Sequence, residues 1–544
     1  MKGRIGRLVV LTCGIGAVAA AGCSSVTEPS EALGAPSFVD ETAVAGVDHV
    51  YSGGSRFFEG GGVAVFDCDG DELPELYFAG GENSAALYGN RSAVGGELAF
   101  ERIESAELGL DSVAGAYPID VDSDGITDLA VLRLGENILF RGKGDCAFER
   151  ANEIWGFDGG NEWTVGFSAT WEEGSDRPTL AFANYLKLTD LRNETDLCAA
   201  NALVRPEGDR YGDPILLEPG WCSLSVLFSD WDRDGEADLR VTNDRQYNRD
   251  GEELLWRISG EEPVAYTREE GWKLVRIWGM GIASHDVTGD GYPDVYLTSQ
   301  GDNRLQTLAD GPGRPTYTDI AIRRGVTAHR PYVGDNTLPS TAWHPEFQDV
   351  NNDGFIDLFV SKGNVDAMPD FTDNDPNNLF LGQPDGTFVD GGVDAGIVHG
   401  GRTRGSAVVD LNLDGMVDLV EVNRVENARV WRNVGSGSGD APAQMGNWVD
   451  VRLDLPGVNR RGVGSWIEMR IGGHTMSREV TIGGGHASGS LGWHHFGLGP
   501  SGKAEVRVIW PNGREGRWLT VDAGQRVTVV HGDPDELVVW EPPP

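Results

Sequence analysis

The sequence predicts an all-β protein, a seven-bladed β-propeller followed by a small β-rich, sandwich-like domain. Three observations lead there. An acidic phrase recurs along the chain with one internal spacing, short β-rich runs bracket its copies, and after residue 434 the phrase stops and alternating strands with different glycine landmarks begin. A repeat of roughly fifty residues or a little more suits a propeller blade of four strands.

The chain opens with Lys2, Arg4 and Arg7, followed by an apolar run from Leu8 to Ala21. That run is too short and too rich in small residues for a membrane span, so residues 1–22 read as an export signal. Ala20-Ala21-Gly22-Cys23 resembles the bacterial lipobox, with alanine at the usual leucine position, and the resemblance implies lipidation of Cys23. Ordinary signal cleavage is the alternative. Residues 23–36 read as a flexible tether. In an exported chain the even set Cys68, Cys146, Cys198 and Cys222 points to disulfides. Cys198 with Cys222 is the expected pair, closing a modest loop; Cys68 with Cys146 follows by elimination, and buried free thiols are the alternative.

The repeated phrase is plainest at Asp120-Val121-Asp122-Ser123-Asp124-Gly125-Ile126-Thr127-Asp128. Acidic side chains at its first, third, fifth and ninth positions, around a glycine turn, can bring oxygens to one point. A calcium ion with six to eight oxygen ligands requires that. Further copies offer Asp67, Asp69, Asp71 and Glu75; Asp230, Asp232, Asp234 and Asp238; and Asp286, Thr288, Asp290 and Asp294. Two more offer Asp349, Asn351, Asp353 and Asp357, then Asp410, Asn412, Asp414 and Asp418. The expectation is several Ca2+ ions, up to about six. The double gap between the copies at Asp120 and Asp230 hides a decayed one, with Trp171, Glu173, Ser175 and Thr179 at the ligand positions, which brings the count to seven. Strand-like runs flank the loops, such as Gly62 to Phe66 and Leu76 to Ala79, whereas EF-hands need helices.

A second phrase marks the outer strand and turn of each unit: Phe388-Val389-Asp390 leads to Ala395-Gly396-Ile397, and Tyr317-Thr318-Asp319 to Gly325-Val326. It also stands at Phe38-Val39-Asp40, ahead of any loop, while no copy follows the strand-like Ala428 to Trp431. The N-terminal copy is therefore expected to complete the last blade and close the ring, removing an exposed edge.

These loops resemble the FG-GAP/VCBS repeats of integrin-α-type seven-bladed propellers, over residues 37–434. Residues 435–446 form a Gly/Ser linker. From 447 to 532, Asn459-Arg460-Arg461-Gly462-Val463-Gly464, Gly483-Gly484-Gly485-His486, His495-Phe496-Gly497-Leu498-Gly499 and Trp510-Pro511-Asn512-Gly513 together resemble an ASPIC/UnbV domain. That module follows FG-GAP repeats in the cartilage acidic protein family. Its glycines read as tight turns, and Phe496 and Trp510 as core anchors. Residues 533–544 read as a tail.

Lys+Arg 44 against Asp+Glu 85 gives a net charge of −41, which disfavours nucleic acid and anionic lipid and favours cations. HExxH, a GxSxG elbow, CxxC and phosphate-binding glycine loops are absent from the sequence, and adjacent His494 and His495 point to opposite faces of a strand. A binding role has the better foothold. Eight positions before each loop stand Glu59, Ser112, Trp163, Cys222, Trp278, Thr341 and Arg402, which would ring one end of a propeller channel. Trp163, Trp278 and Arg402, with Trp343 nearby, could stack on a sugar or grip an anion; tryptophans packed between blades are the alternative. The acidic stretch from Asp366 to Asp375 is a recognition loop or a solvated one. The expected protein is an exported, surface-anchored, monomeric, calcium-binding adhesion or recognition module for a protein or glycan ligand, without catalysis. Its membrane contact would be through the lipid alone, at the outer membrane if the cell is Gram-negative. The alternative is an extracellular propeller enzyme acting on polysaccharide or another polymer.

Overall fold

The computed structural model describes residues 31–188, 197–245, 250–328, 339–365 and 375–542. The expectations for the signal, for Cys23 and for residues 366–374 of the acidic stretch lie outside them. Asp375, at the end of that stretch, is buried and ion-paired with Lys362 at 2.7 Å.

Antiparallel units of four strands follow one another along the chain; the third and fourth are joined into one nine-stranded sheet by Ile482–Gly483, and the first is extended to five strands by Gly489–Leu491. Their first strands are Val63–Phe66, Val113–Ile119, Glu162–Thr170, Ser223–Ser229, Gly279–His285, Ala342–Gln348 and Thr403–Val409. Each packs against its neighbour in chain order, and the last against the first, which gives a propeller-like arrangement. The physical basis is legible strand by strand. First strands are covered on both faces, so they read as continuous apolar and small runs; all seven residues of Val113–Ile119 are buried. Outer strands keep one buried aromatic and turn the rest to solvent, as in Phe388–Asp390 and Tyr317–Asp319. A single helical turn follows three of these outer strands, ending on Gly46, Gly156 or Gly325 in the left-handed region. Glycine takes that C-terminal position without a Cβ penalty.

The unit around Trp171 keeps its strands and has replaced its loop. Glu172 accepts a hydrogen bond from Thr179 Oγ1 (2.5 Å) and pairs with Arg205 (2.8 Å), so a neutralised side-chain cluster stands where the other units place carboxylates.

The last unit takes its fourth strand from the N-terminus, with Phe38 opposite Asn433 and Asp40 opposite Trp431. Glu41 locks this closure. One oxygen pairs with buried Arg432 at 2.7 Å, and the other accepts the Leu98 N–H of the first unit at 2.8 Å. Two disulfides add clamps between neighbouring units: Cys68–Cys146 joins the first two and Cys198–Cys222 the third and fourth. Closing loops of 78 and 24 residues is worth about 3–5 kcal/mol each in the chain-entropy model.

The remaining chain forms two four-stranded sheets. One contains Asn447–Asp454, His494–Gly499, Gln525–Val530 and Glu536–Trp540; the other Trp466–Ile471, His474–Glu479, Lys503–Ile509 and Leu519–Asp522. Phe496 and Trp510 lie in the shared core with Val449, Ile467, Met469 and Val527. Two boundaries differ from the sequence reading. Residues 536–540, assigned to a tail, form an edge strand along Gln525–Val530, mostly exposed and therefore without a strong alternating pattern. The Gly435–Gly439 stretch is folded rather than free: Ser436 and Ser438 N–H bond to the Ala443 and Ala441 carbonyls at 2.9 and 3.1 Å, and Arg432 reaches the Gly439 carbonyl at 2.7 Å.

Because Glu41 serves both partners from inside the protein, Glu41→Ala leaves a buried guanidinium unpaired and should lower unfolding stability by about 3–5 kcal/mol. Urea denaturation tests this, and an unchanged midpoint would refute the role given to Glu41 in closure.

Candidate cation loops, channel and mouth

The acidic loops share one hydrogen-bond plan. In four of them the first aspartate accepts backbone N–H groups four and five residues on, as Asp230 from Asp234 and Gly235 (3.0 and 3.1 Å), Asp349 from Asp353 and Gly354 (3.1 and 2.7 Å) and Asp410 from Asp414 and Gly415 (3.1 and 2.7 Å), with Asp286 alike; Asp120 accepts the Gly125 N–H, and Asp67 those of Gly70 and Glu72. The fifth closes the next turn, Asp124 accepting from Ile126 and Asp290 from Tyr292. The ninth residue has a role beyond that of a ligand. Asp128 accepts the Val121 N–H (2.7 Å) and the Gly142 N–H of the third strand (2.8 Å), and Glu75, Asp357 and Asp418 repeat the pattern. It staples the loop to its sheet.

Oxygens remain for a cation. Three carboxylates converge within 4.8 Å of one another at Asp67/Asp69/Asp71, Asp120/Asp122/Asp128 and Asp230/Asp232/Asp234. Asp120 Oδ1, Asp122 Oδ1, Thr288 Oγ1 and Asn412 Oδ1, all at first or third positions, are buried without a hydrogen-bond partner. Unsatisfied buried oxygens are costly, and a hard cation is the group that satisfies several at once. Burial, reinforced by neighbouring carboxylates, pushes Asp120 and Asp230 up to about 6 and Asp232 up to about 7. Several acidic clusters therefore fit a divalent ion. The Cys68/Glu75/Cys146 group does not, since both sulfurs are in the disulfide.

The two-sheet domain is docked on this loop face. Arg452 pairs with Glu72 at 2.6 Å, the Asn459 N–H bonds to Ser123 Oγ at 3.0 Å, and Glu479 accepts the Asp230 N–H at 2.7 Å. Arg526 bridges Asp410 of the last loop and Asp450 of its own domain, and His495 joins Asp450 (2.7 Å) to Asn352 (2.6 Å). Arg233 stacks on Trp466.

From that docked domain the segment Ile482 to Leu491 enters the channel and reaches every unit. Ile482 and Gly483 pair with Ala169 and Ser168, and Gly483 also with Leu227. The Gly485 N–H bonds to the Ile282 carbonyl (2.6 Å) and the His486 N–H to His344 Nδ1 (3.0 Å). Ala487 O accepts the Ala116 N–H (3.2 Å), Ser488 Oγ the Val63 N–H (3.0 Å), and Gly489–Leu491 runs parallel to Val63–Phe66. Space for this plug comes from glycine on the surrounding strands. A Cβ on Gly62 would lie 1.7 Å from Ala487 O, on Gly115 2.4 Å from the same atom, and on Gly405 2.2 Å from Ser488 Oγ. The sequence reading assigned Gly483, Gly484 and Gly485 to ordinary turns. The missed signal is the glycine standing five residues before the first loop position in four of the six acidic units, at Gly62, Gly115, Gly281 and Gly405, and at Gly166 before Trp171.

At the opposite mouth the ring of positions forms, largely as joints. Leu134 pairs with Trp163, Asp244 with Trp278 and Gln300 with Thr341, each across two units. Trp163 is 3 % exposed and packs edge-on against Tyr185, while Trp343 is fully buried between Arg404 and His486, so neither offers an open face. Cys222 is in its disulfide. Trp278 is the exposed aromatic of this set, at 40 %, with the Arg245 guanidinium 5.5 Å from its ring centre, and Arg402 is half-buried. Glu59 is 8 % exposed; burial, with Asp244 adding to it against Arg404 and Arg424, pushes it up to about 8.

Fold and site together define a propeller-like β-protein whose channel is plugged by its own C-terminal domain. Residues 286–360 match the model of the FG-GAP-like repeat, and residues 456–536 that of the ASPIC and UnbV family. The chain thus carries both kinds of module. No curated protein matches it. Among solved structures, it is similar to BBS1N in complex with ARL6DN, at 10 % identity and TM-score 0.38, over 71 % of this chain and 96 % of that one. It is also similar to an Agrocybe aegerita lectin described for recognition of non-reducing terminal N-acetylglucosamine, at 16 % identity and TM-score 0.35, over 69 % and 90 %. A third is AofleA from Arthrobotrys oligospora, at 10 % identity and TM-score 0.31, over 62 % and 86 %. Among the described residues no helix is long and apolar enough to cross a membrane.

If the channel glycines exist to admit the plug, Gly62→Ala and Gly405→Ala should speed amide exchange at Gly484 and Gly485 by about tenfold or more. Gly502→Ala, where a Cβ meets nothing within 4 Å, serves as the control. Equal exchange in all three proteins would remove the plug from its assigned place.

Proposed function

We propose that this chain is an exported, calcium-stabilised recognition module, a seven-bladed propeller of the integrin-α type that binds a protein or glycan at its open mouth without catalysis. The observation that carries the binding reading is the division of the ring's two faces. The loop face is covered by the C-terminal domain and the channel is filled, so Trp278 with Arg245, and Arg402 beyond them, present the accessible aromatic and cationic surface of the predicted ring. An exposed tryptophan beside a guanidinium suits a sugar ring or an acidic peptide. Trp278→Ala should therefore weaken binding to ligands found on a glycan or extracellular-protein array by about tenfold or more while leaving the melting temperature in place. Full binding by that variant would move the site elsewhere.

Calcium is the proposed resident ion. Asp67, Asp69 and Asp71, Asp120, Asp122 and Asp128, and Asp230, Asp232 and Asp234 would hold it, with the loops at Asp286, Asp349 and Asp410 as further sites, up to about six ions in all. A bound ion would supply charge that desolvated carboxylates otherwise lack. At a hundredfold excess over Kd each ion adds about 2.7 kcal/mol to stability. Chelator should lower the melting temperature and calcium restore it, with Asp120→Asn losing part of the response. A melting curve indifferent to chelator would defeat the proposal. Lipid attachment through Cys23 and a monomeric state complete this reading.

The competing reading, a polymer-degrading enzyme, rests on Glu59, whose raised carboxyl near Asp244 resembles a general acid in its electrostatics. At 8 % exposure Glu59 is closed to a polymer chain, which favours the binding reading.

A further inference from the structure

Beneath the plug, on the side of the docked domain, lies a chamber of about 210 Å³ bounded by both domains. Its walls include His285 from the fifth unit, Glu346 and Gln348 from the sixth, and Arg478 and His494 from the two-sheet domain, with Leu227, Phe347 and Ile482 supplying apolar surface. A second crevice of about 280 Å³, between the loop at Asp286 and strand His474–Glu479, shares His285, Arg478 and His495 with it and gives a route inward.

The polar groups of this chamber are unequally committed. Glu346 is occupied: Oε2 accepts the Val408 N–H at 3.0 Å and faces His344 Nε2 at 3.4 Å, while Oε1 meets Gln348 Nε2 at 3.5 Å. Since His344 Nδ1 accepts the His486 N–H, the neutral His344 ring carries its proton on Nε2 and donates to Glu346. Glu479 is likewise occupied by Ser229 Oγ and the Asp230 N–H. The donors are not. Arg478 gives one hydrogen bond, to Gln348 Oε1 at 3.1 Å, and makes no ion pair among the described residues. The rings of His285 and His494 have no hydrogen-bond partner there either; Phe347 packs against His285, with ring centres 5.8 Å apart. A guanidinium with one protein hydrogen bond, half-buried between two domains, leaves N–H groups open to an acceptor, and its charge opposes a metal cation.

We propose that this chamber binds a small molecule bearing one carboxylate, received by Arg478 and flanked by His285 and His494. The volume admits a short-chain or single-ring acid. Apolar walls would cover the body of the acid while the guanidinium pairs with its head. This site is separate from the mouth, and its ligand would bridge the propeller-like ring and the docked domain, so binding should also steady their contact.

The test uses the full mature chain in calcium, titrated by calorimetry with acetate, butyrate and benzoate, and in parallel with inorganic phosphate and with zinc. One of the carboxylates should bind saturably and raise the melting temperature. Arg478→Gln should weaken it by about 10- to 100-fold, the worth of a charge-assisted hydrogen bond. His494→Asn, which keeps the buried charge intact, should weaken it as well and decides the matter if the arginine variant does not fold. Arg470→Gln, whose guanidinium pairs with Glu505 at 2.7 Å, should bind like the parent. The proposal falls if no carboxylate saturates the parent protein, if Arg478→Gln and His494→Asn bind it unchanged, if phosphate binds and no carboxylate does, or if zinc binds and is lost with His494.

Discussion

A propeller-like arrangement brings the edges of its first strands toward one axis, and the rest of this molecule depends on how those edges are satisfied. An open edge carries backbone donors and acceptors that must find water or protein. Here a single segment of ten residues, Ile482 to Leu491, bonds to six of the first strands through backbone groups, the Ser168 and Ser488 hydroxyls and the His344 imidazole, and its Ser488 lies against Gly405 of Thr403–Val409. Glycine on both partners makes the approach possible, because any Cβ at Gly62 or Gly115 would occupy the place of the Ala487 carbonyl. The C-terminal domain is thus structurally part of the ring.

The same docking shapes the electrostatics of the loop face. A chain of net charge −41 concentrates carboxylates there, and the docked domain answers with Arg452 on Glu72 and Arg526 on Asp410. Guanidinium groups and cations are in this sense alternatives for the same carboxylates: Arg141, lying 2.7 Å from Asp122, and Arg526 provide fixed charge where an ion would provide exchangeable charge. The third unit carries the substitution to its end, with Arg205 on Glu172 in place of any acidic loop. Buried oxygens left over at Asp120, Asp122, Thr288 and Asn412 mark where fixed charge does not suffice.

Local periodicity made much of this legible. The loops, their flanking strands, the strand Phe38–Asp40 that completes the last unit and the pairing of Cys198 with Cys222 all follow from residues close in sequence or from a phrase that repeats. What escaped was decided by distant partners. Gly483 to Gly485 look the same in a turn as in a channel, and only the glycines five residues ahead of the loops hint that something passes through. Trp163 and Trp343 have the composition of a binding surface and the burial of a core, a distinction that the side chain alone does not carry. The ninth-position carboxylates were visible as acids, whereas their attachment to third-strand N–H groups depends on a register that the loop does not encode.

The closure at Glu41 also has a meaning in time. Its partner Arg432 lies 391 residues further along the chain, and the segment that fills the channel comes later still. During vectorial synthesis the strand Phe38–Asp40 must therefore remain without its mate until Arg429–Asn433 has emerged. A chain cut short before the C-terminal domain would hold a hollow ring. Assembly is in effect checked by geometry, since the piece that satisfies most of the first-strand edges is made after the strands it joins.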